Sequence, residues 1–182
     1  MALSATIFKA ELTISDMDRG HYATHALVLA RHPSETDERM MVRLLAFALN
    51  AGEGLAFGKG LSDEGEPALW QKDLTGTIQL WIDVGLSDEK SLRRACGRAD
   101  QVLVYAYGRG AERWWQDAQS GLARPDNLTV IDLPQAATQA LAALAQRTMR
   151  LQCTVQDGTA WFTDGENTVE IAPVVLRSPR KA

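Results

Sequence analysis

The clearest structural signals of this chain lie in residues 61–108, which read LSDEGEPALWQKDLTGTIQLWIDVGLSDEKSLRRACGRADQVLVYAYG. From Thr77 to Val84 the stretch reads TIQLWIDV, which is rich in β-branched and aromatic residues and is bounded by glycines, as expected of a strand. The run that follows carries acidic residues first and basic residues later, which suits a helix dipole. The nearly continuous apolar run at 101–107 then indicates a central strand covered on both faces. The stretch therefore predicts a strand–helix–strand unit.

The flanking segments extend this unit into a mixed α/β fold. Helices are predicted at 36–50, 87–99, 111–120 and 135–147, and strands at 55–60, 70–73, 77–84, 101–107 and 128–133. Their alternation favours a mixed central sheet flanked by helices, with the last three of these strands innermost. A single domain is expected over 1–182, with its core at about 34–147. The accessory β regions, at about 5–30 and 149–176, should pack together because an isolated hairpin is marginal in water.

The composition is that of an ordinary globular protein of 182 residues, with 46% hydrophobic and 23% charged residues. The net charge of −4 supplies no overall basic field for holding nucleic acid, although a small basic patch is compatible with it. The first residues lack the basic start and apolar run of a signal peptide, and no window reaches the roughly 20 apolar residues of a membrane span. We therefore expect a cytoplasmic protein with no membrane partner.

Carboxylates mark the predicted strand at 77–84. Asp83 lies almost at its end, and burying a carboxylate without a partner costs several kcal/mol, so a cation, a metal or a donor should lie beside it. Asp73 lies upstream and could share one divalent ion with Asp83. Glu38, in the first turn of the first helix, could supply a third carboxylate. Mg²⁺ binds one or two carboxylates together with water and phosphate oxygens, so this set is compatible with it.

Several long segments resemble the YaeQ family of small bacterial proteins. They are RHPSETDERMMVRLLAFAL at 31–49, DEGEPALWQKDLTG at 63–76, IQLWIDVGLSDEKSLRRAC at 78–96 and RTMRLQCTVQDGTAWF at 147–162. The resemblance thus runs over nearly the whole chain. That family is regarded as a variant of the PD-(D/E)XK, or restriction-endonuclease-like, fold, whose core has the order αβββαβ. The resemblance implies this order for the elements between residues 36 and 107.

The resemblance also implies a metal-dependent catalytic site built from three carboxylates. Asp73 falls where the first metal-binding aspartate of the superfamily belongs, and Asp83 falls where the acid of the (D/E)XK half-motif belongs. Glu38 corresponds to the helix carboxylate that some nucleases of this fold use. The implied ion is Mg²⁺ or Mn²⁺, which polarises a phosphodiester and activates water.

Two positions depart from the superfamily pattern. Lys72 replaces the proline before the first aspartate, and Gly85 stands where a lysine is expected. Some members of the superfamily move that lysine to the following helix, so Lys90 or Arg94 could take its place. Arginine cannot act as a general base, because it stays protonated.

Each candidate also has a structural explanation. Asp73 precedes Leu-Thr-Gly and could be a turn aspartate. Asp83 could cap the next helix or pair with Arg93 or Arg94, and Glu38 suits a first helical turn through the dipole alone. Lys90 and Arg94 could belong to a solvated helix face. Two functions therefore remain: a metal-dependent phosphodiesterase acting on nucleic acid, or a non-catalytic protein that keeps the fold and binds nucleic acid or a protein.

Overall fold

The computed structural model describes residues 4–59 and 65–179, which form two sheets and four helices. The helices are α1 (Asp37–Asn50), α2 (Glu89–Cys96), α3 (Ala111–Ala118) and α4 (Gln135–Ala142). The strands are β1 (Thr6–Asp16), β2 (His21–Arg31), β3 (Leu55–Phe57), β4 (Leu69–Lys72), β5 (Ile78–Val84), β6 (Ala99–Ala106), β7 (Leu128–Asp132), β8 (Thr148–Gln156), β9 (Thr159–Thr163), β10 (Thr168–Ile171) and β11 (Val174–Arg177). Within the described ranges, no helix is both long and apolar enough to cross a bilayer.

The larger sheet has the strand order β11-β7-β6-β5-β4-β3. Its central strands β5, β6 and β7 run parallel, whereas β4 and β11 run antiparallel to their neighbours, so the sheet is mixed. Val102, Val104 and Val130 on the central strands are each 0% exposed. This burial confirms the prediction that these strands are innermost. The acidic residues between 63 and 67, which the sequence also predicts to form a loop, lie partly outside the described residues.

The smaller sheet joins the two ends of the chain in the order β10-β9-β8-β1-β2. β1 pairs with β2 in an antiparallel hairpin and with β8 in parallel, so the first and last β regions pack together as predicted. The last strand, β11, differs from the prediction because it pairs with β7 in the larger sheet. The Arg177 guanidinium donates to the carbonyls of Pro125 and Leu128, which fixes β11 at that edge.

Helix α1 lies between the two sheets and is buried from Met40 to Ala48. The Thr36 hydroxyl caps it by accepting a hydrogen bond from the Arg39 backbone N–H at 3.1 Å. The hydrophobic core around α1 also contains residues of both sheets, such as Leu12 of β1 and Ile82 of β5. Helices α2 and α3 cover the opposite face of the larger sheet. The layers are therefore sheet, helix, sheet and helix.

Two predicted helices prove too long. The helix expected at 87–99 begins after Asp88, whose carboxylate accepts from the Ser91 N–H at 3.1 Å, and it ends before β6 starts at Ala99. The helix expected at 135–147 ends at residue 142. There the chain must turn to enter β8 beside β1, and Arg147 Nε donates to the Ile7 carbonyl at 3.0 Å. Tertiary pairing therefore overrides the alanine-rich helical tendency.

A buried ion pair ties α1 to the preceding loop. Arg43, which is 2% exposed, donates from Nε and Nη2 to the carboxylate of Glu35 at 3.0 and 2.5 Å. Arg43 Nη2 also lies 3.2 Å from the Ala30 carbonyl oxygen of β2. Arg39 forms a second ion pair with Glu35. Glu35, in the loop before α1, is therefore the acid that the fold buries here, rather than Glu38 in the first turn of the helix.

Two histidine side chains, His21 and His25, contact each other on the side of β2 that faces α1. The Nε2 atoms of His21 and His25 lie 3.0 Å apart, and the two ring planes are within 15° of parallel. The Phe47 ring packs edge-on against His25. A nitrogen-to-nitrogen hydrogen bond requires one ring to keep its lone pair, so the two rings cannot both be protonated and keep the bond. Burial and the charge of His21 lower the pKa of His25.

We expect the stability of the protein to fall as the pH drops below about 6.5. Because the folded-state pKa of His25 is lowered, the unfolded chain takes up this proton first. The contribution of His25 is therefore fully present above that pH and is lost as the pH falls through the folded-state pKa. Thermal unfolding followed between about pH 8 and pH 5 should show a smaller drop of Tm in His25→Gln than in the unaltered chain. Equal drops would contradict this role of the pair.

Candidate functional site

A pocket of about 230 Å³ opens between the end of β5 and α2. Its wall combines carboxylates, guanidinium groups, a hydroxyl and an indole: Gly65, Glu66, Trp81, Asp83, Ser91, Arg94, Ala95 and Arg98. Of the five candidate residues named from the sequence, Asp83 and Arg94 line this pocket. The chemistry of the wall suits a ligand that carries negative charge together with a cation.

Asp83 projects from β5 on the side that faces α2, as does Trp81, because alternate residues of a strand share a face. Burial raises the pKa of Asp83. The Trp81 side chain, the charge of Arg39 and the Ala68 backbone N–H oppose this rise only in part. The carboxylate is therefore incompletely compensated, and a cation in the pocket would stabilise its charged form.

The indole of Trp81 is the second incompletely paired group of the pocket wall. Trp81 is 5% exposed, and its Nε1 has no hydrogen-bond partner within residues 4–59 and 65–179. Its N–H lowers the pKa of Asp83 through proximity, although the two groups do not reach hydrogen-bond geometry. A buried donor without a partner costs free energy, so an acceptor entering the pocket would satisfy it.

The helix side of the pocket presents two cations. Arg94 and Arg98 are four residues apart and lie on one side of α2 and of the turn that follows it. Arg98 is held in place, because Nη1 donates to the Gly65 carbonyl at 3.0 Å and the guanidinium lies 5.1 Å from the centre of the Trp81 ring. Within the described part of the chain, the Arg94 side chain forms no ion pair. Arg94 can therefore bind an anion without first breaking an existing ion pair.

Glu66 is the acid that sequence reasoning missed. β4 and β5 are antiparallel with Leu69 opposite Ile82, so the residues that precede β4 lie beside the end of β5. Glu66 lies there, and its Oε2 accepts from the Lys59 backbone N–H at 2.9 Å. The sequence segment EGEP contains this acid. In an antiparallel hairpin, the start of the first strand lies beside the end of the second, so an acidic partner for Asp83 must precede β4 rather than follow it.

Asp73 lies in the β4–β5 turn, and its predicted convergence with Asp83 is wrong. Its Oδ1 accepts from the N–H and hydroxyl of Thr75 at 2.8 and 2.7 Å and from the Thr77 N–H at 2.9 Å. These bonds, led by the Thr75 hydroxyl, lower its pKa. At about 3.3 Å per residue, the strand from Thr77 to Asp83 separates the two acids by roughly 20 Å. Asp73 is thus a turn residue.

We expect Asp73→Ala to lower the Tm while leaving divalent-metal binding unchanged. The substitution removes the acceptor of three hydrogen bonds that shape the turn, at the end of the hairpin that is far from the pocket. Thermal unfolding and Mn²⁺ titration of the same sample check both parts. A loss of metal affinity at unchanged Tm would restore Asp73 to the site.

Glu38 and Lys90 also lie outside the pocket wall. Glu38 belongs to α1, which packs on the opposite face of the larger sheet. Its charge acts on Tyr107, whose pKa is raised to about 12, mainly by burial. Lys90 is exposed on α2. Within the described residues, no cluster of three or more His, Cys, Asp or Glu side chains is arranged to hold a metal, so the predicted trio does not assemble.

Comparisons with known proteins all match this chain to one protein family. The sequence model of the family described as YaeQ protein matches residues 1–173. Proteins named uncharacterized protein YaeQ from Salmonella typhi and Escherichia coli (strain K12) are 46% and 43% identical over 180 residues, which cover 98% of this chain and 99% of each relative.

Two crystal structures of YaeQ proteins superpose closely on the fold. The protein from Xanthomonas axonopodis pv. citri has a TM-score of 0.93 at 51% identity, covering 97% of this chain and 100% of that one. The protein from Pseudomonas syringae has a TM-score of 0.92 at 37% identity, covering 97% and 98%. With the family match, these likenesses confirm the resemblance found in the sequence. The chain therefore belongs to the YaeQ protein family.

Proposed function

We propose that the protein is a divalent-metal-dependent phosphodiesterase acting on nucleic acid, with its site in the pocket beside Asp83. One observation carries the proposal: Asp83 and Glu66 line the same space of about 230 Å³ as Arg94 and Arg98. Acids that can hold a hard cation, next to cations that can hold a phosphate, are what metal-assisted hydrolysis of a phosphodiester requires.

The order of the elements supports a place in the PD-(D/E)XK superfamily. From α1 through β3, β4, β5 and α2 to β6, the chain follows the order αβββαβ. Asp83 lies near the end of the third strand of that series, where the resemblance assigns the acid of the half-motif. A fold alone does not determine an activity, so the pocket rather than the topology carries the functional argument.

The residues of the pocket fit Mg²⁺ or Mn²⁺. A hard cation prefers oxygen ligands and accepts one or two carboxylates with water completing its shell. Asp83 and Glu66 would hold it, and the raised pKa of Asp83 reflects a carboxylate that such a charge would stabilise. When bound, the ion polarises the phosphodiester and lowers the pKa of a coordinated water.

The chain's own groups then bind and orient the phosphate. Arg94 offers a guanidinium fork to the non-bridging oxygens, and such forks bind phosphate in a bidentate manner. Arg98 is already fixed by Gly65 and the Trp81 ring, so it binds without losing much side-chain freedom. The Trp81 N–H supplies a further donor at the buried end of the pocket.

A non-catalytic binding protein is the second candidate function. Gly85 stands where the superfamily pattern expects a lysine, and Lys90 lies outside the pocket wall. Without that lysine, the arginines could still bind an anionic partner, either nucleic acid or a protein, although they cannot act as a general base. This alternative predicts binding in the same pocket with no metal-dependent cleavage.

A cleavage assay separates the two functions. The full chain is incubated with labelled single-stranded and duplex DNA and RNA, in Mn²⁺ and in excess chelator. We expect cleavage in Mn²⁺ alone, with loss in Asp83→Asn and retention in the matched variant Asp73→Asn, whose carboxamide keeps the turn acceptor. Cleavage that persists in Asp83→Asn, or its absence under every condition, would overturn the proposed activity.

A further inference from the structure

Alternating cations and aromatic rings form a row that leads from the pocket across β5 and β4. Arg98 lies over the Trp81 ring at 5.1 Å. Trp81 is the cross-strand partner of Trp70, and the two rings meet edge to face at 6.2 Å and 82°. The Lys72 ammonium lies over the Trp70 ring at 3.7 Å. We call these four residues the tryptophan row.

The tryptophan row is continuous with the pocket and reaches solvent at its outer end. Trp81 and Arg98 belong both to the row and to the pocket wall. Trp70 is half-buried, and Lys72 is exposed. The outer aromatic face is therefore covered by a flexible side chain rather than by the fold, and a planar ligand could displace the ammonium group from the ring.

We propose that the tryptophan row binds single-stranded nucleic acid, with one base stacked on Trp70 and with Lys72 and Arg98 on the backbone phosphates to either side. The inference rests on the proposed function, because the bound strand would run into the pocket beside Asp83. A base that replaces the Lys72 ammonium on the ring frees that ammonium for a phosphate. Aromatic platforms interleaved with cations are how proteins hold single strands without reading their sequence.

Two observations favour a single strand over a duplex. Stacking on Trp70 requires a base with a free face, and in a duplex each base is already stacked on its neighbours. The net charge of −4 also leaves the protein without a broad basic surface, on which duplex binding depends. A short row of two cations and two rings is instead matched to a few unpaired nucleotides.

The test is fluorescence anisotropy with labelled oligo(dT) and with a duplex of equal length, both in excess chelator. We expect the single strand to bind more tightly. Trp70→Leu should weaken that binding about 5- to 150-fold, the loss of one stacked base. Trp70→Phe should retain most of the affinity, and Trp161→Leu, a matched control on β9 of the smaller sheet, should retain all of it. Lys72→Gln should reduce the slope of log affinity against log salt by about 0.7.

Opposite results would overturn the inference. They are a preference for the duplex, unchanged binding in Trp70→Leu, or an equal loss in Trp161→Leu. Should Trp70→Leu fail to fold, the variants Trp70→Phe and Lys72→Gln test the inference instead. An unchanged salt dependence of binding in Lys72→Gln would then contradict nucleic-acid binding by the tryptophan row. Asp83→Asn separates this inference from the proposed function, because it should abolish cleavage, whereas single-strand binding in chelator should persist or tighten as a negative charge beside the backbone phosphates is removed. Cleavage of DNA that does not depend on Trp70 would contradict binding by the tryptophan row and leave the proposed phosphodiesterase activity standing.

Discussion

Replacing Glu35 by leucine should lower the free energy of unfolding by about 3–5 kcal/mol. The substitution leaves the Arg43 guanidinium, 2% exposed, without the carboxylate that accepts two of its hydrogen bonds. Its remaining hydrogen bond among the described residues goes to the Ala30 carbonyl, which carries no full charge. For a chain of this size, the loss corresponds to a fall in Tm of roughly 6–20 °C. Urea or thermal unfolding measures it directly.

The double variant Glu35→Leu/Arg43→Met is the control that identifies the cause. It should recover most of the lost stability, because a buried ion pair can be replaced by apolar residues at little cost once both charges are removed. Glu53→Leu, at an exposed turn position, should stay within about 0.5 kcal/mol of the unaltered chain. A Glu35→Leu loss no larger than that of Glu53→Leu would show that the pair contributes little.

Asp83→Asn should reduce the proposed metal-dependent hydrolysis by about 100-fold or more, since the ion would supply several kcal/mol of charge stabilisation. Its effect on stability should have the opposite sign. The raised folded-state pKa means that Asp83 stabilises the fold in its protonated form, and this contribution is lost as the pH rises through that pKa. A neutral asparagine removes that dependence, so the Tm advantage of the variant should grow with pH.

Thermal unfolding of Asp83→Asn without metal checks the second half of this expectation. A Tm clearly below that of the unaltered chain at neutral pH would mean that the charge of Asp83 holds the fold together, through Arg39 or the Ala68 N–H. Asp83 would then be a structural acid, and the proposed metal site would lose its main ligand.

The strands and α1 could be predicted because their signals are local. TIQLWIDV and QVLVYAY bury most of their apolar side chains, so their apolar content alone indicates central strands. The first helix carries its cap and its apolar run in consecutive residues. The pairing of β11 with β7 could not be read in this way, because it joins residues far apart in the sequence and depends on which sheet edge remains open.

The site was predictable only where a residue conflicted with its surroundings. Asp83 is a carboxylate in an apolar strand, and that mismatch identified it. Asp73 was assigned to the site by its place upstream of Asp83 and by the family resemblance, and neither says whether an acid lies at the near or the far end of a hairpin. The antiparallel register of β4 and β5 decides that, and it selects Glu66 instead. The Trp81 N–H, which has no hydrogen-bond partner in the part of the chain that the structure describes, left no trace in the sequence.

Titration of Mn²⁺ into the protein, followed by calorimetry and by tryptophan fluorescence, directly measures whether the pocket binds a divalent metal, since Trp81 lines the pocket with Asp83. We expect the unaltered chain and Asp73→Asn to bind Mn²⁺ with a change in emission, and Asp83→Asn not to bind it. An unchanged binding isotherm in Asp83→Asn, or no Mn²⁺ binding by the unaltered chain, would contradict this expectation.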